Sequence, residues 1–119
     1  MTQPARAHFD FSGTTTVVTG GASGIGMSCA LEIAKAGGNL FISASRKPDK
    51  TQAAIGRLKA ARDGISVEAH PCEVGDESSV AAFFDFIQEK GLRIDHVVHS
   101  AGISPNTDFF DQTQDEWDQ

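Results

Sequence analysis

The residues best suited to chemistry are the run Thr19-Gly20-Gly21-Ala22-Ser23-Gly24-Ile25-Gly26. An apolar run precedes this glycine cluster, a helical pattern follows it, and a further apolar run comes after. In that setting each glycine has a task. Gly20 permits a tight exit from a strand, Gly24 lets backbone N–H groups approach a pyrophosphate, and Gly26 lets the helix lie close to the strand. The helix N-terminus adds a partial positive charge facing the phosphates. The competing reading is a glycine-rich loop without a ligand. Three glycines in an ordered turn are conformationally costly, which favours a turn built for a phosphate group.

The elements that must position this turn follow from periodicity. Thr14 to Thr19 is rich in β-branched residues and reads as a buried strand running into the glycines. From Ile25 to Ala36, Ile25, Cys29 and Ile33 recur every four residues, flanked by Leu31 and Ala34, and Gly37-Gly38 supplies the stop, so an apolar-striped helix is expected. Leu40-Phe41-Ile42 is a second strand. Pro48 suits the first turn of a second helix, which runs to a stop at Asp63-Gly64. Ile65 to Ala69 reads as the third strand. Asp76 is a good N-cap for a helix whose inward face is Val80, Phe83, Phe84 and Ile87, with Phe86 off that face. Gly91 ends it. Ile94 to His99 is the fourth strand, and Asp115-Glu116-Trp117 begins another helix.

Alternation of this kind predicts an α/β fold, a partial doubly wound (Rossmann) arrangement of four parallel strands with flanking helices. The domain is expected over residues 13–119, behind a frayed leader at 1–12. Hydrophobic residues make up 39% of the chain and charged ones 22%, an ordinary globular balance that suggests neither disorder nor a membrane span. The net charge of -6 argues against nucleic acid as a partner. The one basic knot, Arg46-Lys47 with Lys50, suits a single phosphate group. Cys29 and Cys72 lack metal spacing and read as reduced thiols of an intracellular protein, with a cytoplasmic location expected. His96 and His99, three apart in a strand, point to opposite faces and do not share a metal.

The spacing Thr-Gly-x-x-x-Gly-x-Gly at 19–26 resembles the fingerprint of the short-chain dehydrogenase/reductase family. Two further segments fit in order. Cys72-Glu73-Val74 stands where the family usually has Asp-Val, and His99-Ser100-Ala101-Gly102 stands where it often has Asn-Asn-Ala-Gly. The resemblance covers about residues 13 to 119, roughly the first half of a typical member's domain. It implies that Gly20, Ser23, Gly24, Ile25 and Gly26 hold the cofactor's phosphates. Glu73 and Val74 then lie at the adenine, and Ala101 and Gly102 contact the cofactor through their backbone. Glu73 is one methylene longer than the family's Asp, so its contact shifts, and the side-chain contacts of the asparagines are lost at His99 and Ser100.

Nucleotide choice is read from the end of the second strand. Sites of this fold that take NAD carry an acid there, which bonds the ribose hydroxyls. The position is Ser45, followed by Arg46 and Lys47. A hydroxyl and a guanidinium suit a 2′-phosphate, so NADP(H) is expected over NAD(H). The alternative is that Arg46 and Lys47 are only a solvated loop pair.

The family's catalytic Tyr-x-x-x-Lys pair has no counterpart, because the sequence contains no tyrosine. No residue is therefore assigned as catalytic, and Ser100 and Ser104 precede the place of the family's serine. Phe109-Phe110 reads equally as a substrate-side surface or as loop packing. Three functions fit: the cofactor-binding part of such a dehydrogenase, inactive alone; a non-catalytic NADP(H)-binding or split-subunit module; or a residual truncated product. A methyltransferase-type nucleotide fold is a distant alternative. The fourth strand is expected to leave one edge open, favouring self-association or a complementing C-terminal half.

Overall fold

The computed structural model describes residues 7–104 and 106–118. Their order is β1 (Thr15–Thr19), α1 (Gly24–Lys35), β2 (Asn39–Ala44), α2 (Pro48–Ala61), β3 (Val67–Pro71), α3 (Glu77–Glu89), β4 (His96–His99), a 3-10 turn (Phe109–Asp111) and α4 (Gln114–Trp117). The strands form one parallel sheet in the order β3-β2-β1-β4. The direction of strand order reverses beside β1, because α3 carries the chain from one sheet edge to the other. All four strands point the same way, so their C-terminal ends share one edge of the sheet. The fold is the partial doubly wound α/β arrangement anticipated from the alternation of strand and helix patterns.

Two apolar layers cover the central strands. On one face Val18, Leu40 and Ile42 pack with Met27, Ala30, Ile33 and Ala34 of α1 and Ala54 and Leu58 of α2. On the other, Val17 and Phe41 pack with Phe83 and Ile87 of α3. Alternation along the strands explains the division: Val17 and Phe41 are partners in register, as are Val18 and Ile42, and successive side chains point to opposite faces. Phe11 packs against the first layer and its N–H donates to the Ala36 carbonyl at 2.9 Å. Packing therefore already begins at Phe11. The leader expected over 1–12 lies in part outside the described residues.

Several local expectations are corrected. The inward stripe of α1 is Gly26, Met27, Ala30, Ile33 and Ala34. Ile25 is 78% exposed and Cys29 is only half-buried. The rotation is set by small residues: Gly26, Ala30 and Ala34 recur every four positions and let the helix approach the sheet, which bulk at Ile25 and Cys29 would prevent. On α3 the roles of two phenylalanines are exchanged. Phe84 is exposed, whereas Phe86 stacks edge-on to Phe41 at 5.9 Å and lies 4.4 Å from the His70 ring. The aromatic ring of Phe41 reaches beyond the narrow helical stripe and recruits the next residue. The third strand runs two residues later than its apolar run suggests, because Asn39 Oδ1 accepts from Ser66 N–H and fixes the entry register. β4 starts at His96 rather than Ile94. Asp76 caps α3 as expected, accepting from Ser78 N–H at 3.0 Å.

Candidate dinucleotide-binding site

The glycine turn sits at the C-terminal end of β1, between the ends of β2 and β4. Gly20 has φ +67, and a Cβ there would lie 2.9 Å from the Ala101 backbone nitrogen. Its N–H donates to Ser43 Oγ at 2.8 Å, so β2 also braces the turn. A Cβ on Gly26 would lie 2.2 Å from the Gly20 carbonyl oxygen. Side chains at 20 or 26 are therefore excluded by the protein itself. Gly24 differs: its φ is +56 and a Cβ there would meet nothing within 4 Å. The backbone at Gly24 faces open space, which is what a phosphate needs to approach the N–H groups of the first helical turn. Ser23 is the N-cap of α1, but its side chain makes no capping hydrogen bond. The first-turn N–H groups thus lack that side-chain acceptor, and Ile25 stands exposed beside them.

The other three strand ends close around this turn. After β4, the N–H groups of Ser100 and Ala101 both donate to Thr19 Oγ1, at 3.2 and 3.3 Å. This brings the Ala101 backbone against Gly20, with Gly102 exposed just beyond it. After β2, Ser45 N–H donates to Thr51 Oγ1 at 2.9 Å, and Ser45 Oγ accepts from Lys47 N–H at 3.2 Å. These bonds fold the strand exit back over the start of α2 and leave Arg46 projecting. After β3, Glu73 N–H donates to Ser79 Oγ at 2.9 Å and Val74 is exposed. Arg46 and Glu73 meet across the gap: Nε donates to Oε1 at 2.8 Å and an Nη–H to Oε2 at 2.7 Å. The guanidinium holds the Glu73 carboxyl below the usual carboxylate range, and the carboxylate in turn raises Arg46.

All eleven expected cofactor residues therefore lie at one edge of the sheet. Gly20 and Gly26 act within the protein, as close-packing positions. Ser23, Gly24 and Ile25 border open space. Ser43, Thr19 and Thr51 each hold a site loop, a role that their places in the sequence do not signal. Hydroxyl residues inside or beside strands read as ordinary β-branched or helix-start positions, and only the neighbouring loops reveal their partners. Beside Ser23 and Gly24, a groove of about 420 Å³ runs between α1 and α2, with Lys50 and Arg57 on its wall. Phe109, Phe110 and Trp117 are all exposed, and Phe109 meets Phe110 and Trp117 edge-to-face at 5.4 and 5.9 Å. Among the described residues no cluster of three His, Cys, Asp or Glu side chains suits a metal, and no helix is long and apolar enough to cross a membrane.

Comparison with known proteins agrees with this geometry. Residues 14–119 match the short chain dehydrogenase family. A sorbose reductase of Schizosaccharomyces pombe is 32% identical over 111 residues, 92% of this chain and 43% of that protein. A short-chain type dehydrogenase/reductase from Mycobacterium ulcerans superposes with a TM-score of 0.73 at 34% identity, over 82% of this chain and 35% of the other. The L-sorbose reductase of Gluconobacter frateurii, solved with NADPH and L-sorbose, gives a TM-score of 0.81 at 27% identity, over 94% of this chain and 42% of the other. The chain spans less than half the length of the curated relatives it matches. With the fingerprint, the parallel sheet and the matched sequence in agreement, the chain belongs to the short-chain dehydrogenase/reductase family.

Proposed function

We propose that this chain binds NADP(H) across its four strand ends, as the cofactor-binding portion of a short-chain dehydrogenase/reductase. The observation that carries this reading is the open backbone at Gly24, in a turn where Gly20 is held by Ser43 and Ala101 and Gly26 is packed on the Gly20 carbonyl. Ser23, Gly24 and Ile25 hold the pyrophosphate by backbone N–H groups, and Gly20 and Gly26 keep the turn and helix packed closely enough to present them. Glu73 and Val74 border the adenine. Ala101 and Gly102 lie along the cofactor toward β4. Ser45 and Arg46 recognise the 2′-phosphate, the guanidinium by charge-assisted bonds. In a complete family enzyme the bound NADP(H) would supply or accept the hydride exchanged with a carbonyl or alcohol carbon. The chain's residues bind and orient the nucleotide, and without a tyrosine they offer no phenol for the proton. The NADPH complex of the Gluconobacter enzyme supports the nucleotide assignment.

The test is a fluorescence titration of the purified chain with NADPH and NADH, repeated for Arg46→Ala. The expected outcome is NADPH binding, no reductase activity, and a selective loss of NADPH affinity in the variant. Equal weakening of both nucleotides removes Arg46 from the assignment. Binding without activity also fits a non-catalytic NADP(H)-binding or split-subunit module. Reductase activity in the chain alone contradicts both readings.

The outer edge of β4 is proposed to accept another strand, from a second copy or a complementing C-terminal half. Among the described residues β4 pairs only with β1, and an unpaired strand edge is a template for such pairing. A sharp, reversible, concentration-independent melt of a monomer contradicts this.

A further inference from the structure

We infer that Glu73 is a built-in competitor for the 2′-phosphate, occupying Arg46 in the nucleotide-free protein and thereby setting how strongly the site prefers the phosphorylated nucleotide. The inference rests on the NADP(H) reading above. Arg46 projects from the loop after β2 and Glu73 from the loop after β3, and they meet through two parallel N–H to oxygen bonds. This fork is the geometry in which a guanidinium receives a phosphate. Both carboxylate oxygens are used, and the cation is neutralised by its neighbour.

The anchoring of the two residues explains why the pair forms. The Glu73 backbone is fixed at the turn into α3, its N–H on Ser79 Oγ and its carbonyl accepting from Asp76 N–H at 3.0 Å. The preceding residue of the other loop, Ser45, is held by Thr51. Side-chain length then decides the contact, and Glu73 reaches Arg46. The pair remains open to incoming anions, with side-chain exposures of 85% for Arg46 and 56% for Glu73. An anion at Arg46 must displace the carboxylate or bind beside a negative charge. Either route lowers affinity for the 2′-phosphate selectively, whereas any contact of Glu73 with the adenine is shared by nucleotides with and without that group.

Glu73→Gln tests this, because the amide keeps the length and an acceptor oxygen while removing the charge. Calorimetric titrations of the full chain with 2′,5′-ADP and 5′-AMP are the readout. Glu73→Gln is expected to raise the preference for 2′,5′-ADP over 5′-AMP by about two- to fivefold, the range for losing one exposed ion pair, any change at the adenine being common to both probes and cancelling in that ratio. Glu73→Ala shifts that preference in the same direction, and in an Arg46→Ala background Glu73→Gln leaves the preference unchanged. An unchanged or lowered preference for 2′,5′-ADP in Glu73→Gln overturns the inference, the lowered case making Glu73 a residue that positions Arg46. Equal shifts for both nucleotides overturn it too. If the unmodified chain prefers 5′-AMP or binds neither probe, the NADP(H) reading itself fails, and this inference with it.

Discussion

Val17 of β1 and Val97 of β4 are partners in register, yet Val17 is fully buried and Val97 is 42% exposed. The same residue type on adjacent parallel strands has two fates. β1 is buried along its whole length because β2 and β4 flank it and helices cover both faces. Among the described residues β4 pairs on one side only, and most of its own residues are exposed. Polar pins hold it at both ends. At the start, Asp95 exchanges bonds with Thr15, its carboxylate accepting from Thr15 N–H and its own N–H donating to the Thr15 carbonyl, both at 2.9 Å. At the finish, Thr19 Oγ1 accepts from Ser100 and Ala101. One side of the sheet is stabilised by apolar burial, the other by hydrogen bonds that also set the cofactor edge.

That contrast can be broken by mutation. Phe41→Ala empties the best-packed position on the buried side, where the ring meets Phe83 at 5.4 Å and Phe86. It should cost about 3–5 kcal/mol in chemical denaturation. Gly26→Ala forces a methyl against the Gly20 carbonyl and should cost about 1–3 kcal/mol, with nucleotide binding lost as the turn shifts. Thr19→Val keeps the shape but removes the acceptor for two N–H groups. A loss of about 0.5–1.5 kcal/mol is expected, with faster hydrogen exchange at Ser100 and Ala101 and no change at β2. Val97→Ala should fall within about 0.5 kcal/mol of the unmodified chain; a core-sized loss would show that β4 is covered in solution.

The polar pin at the start of β4 adds a pH signature. Thr15 N–H, and then Arg93, hold the Asp95 carboxyl below the usual range. Folded Asp95 thus gives up its proton more readily than unfolded Asp95. Its contribution is complete above the ordinary carboxylate pKa of about 4 and disappears as pH falls through the lowered folded value. Asp95→Asn should therefore destabilise the chain at neutral pH and flatten the acid limb of the stability profile. An unchanged acid limb would remove Asp95 from the account.

The existence and order of the strands and helices were legible in the chain, because glycine stops, proline at a helix start, the Asp76 cap and apolar periodicity are local signals. So was the glycine turn, whose residue types and spacing are imposed by a tight strand exit and a close helix. The rotation of α1, the exchange of Phe84 for Phe86 and the start of β3 were not legible. Each depends on a partner distant in sequence: the small-residue contact with the sheet, the ring of Phe41, and the side chain of Asn39. The meeting of Arg46 with Glu73 belongs to the same class. Sequence marks each as a charged residue after a strand. Only the parallel sheet, which brings the ends of β2 and β3 side by side, makes them a pair, because hydrogen bonding between non-local loops is fixed by tertiary register and not by spacing along the chain.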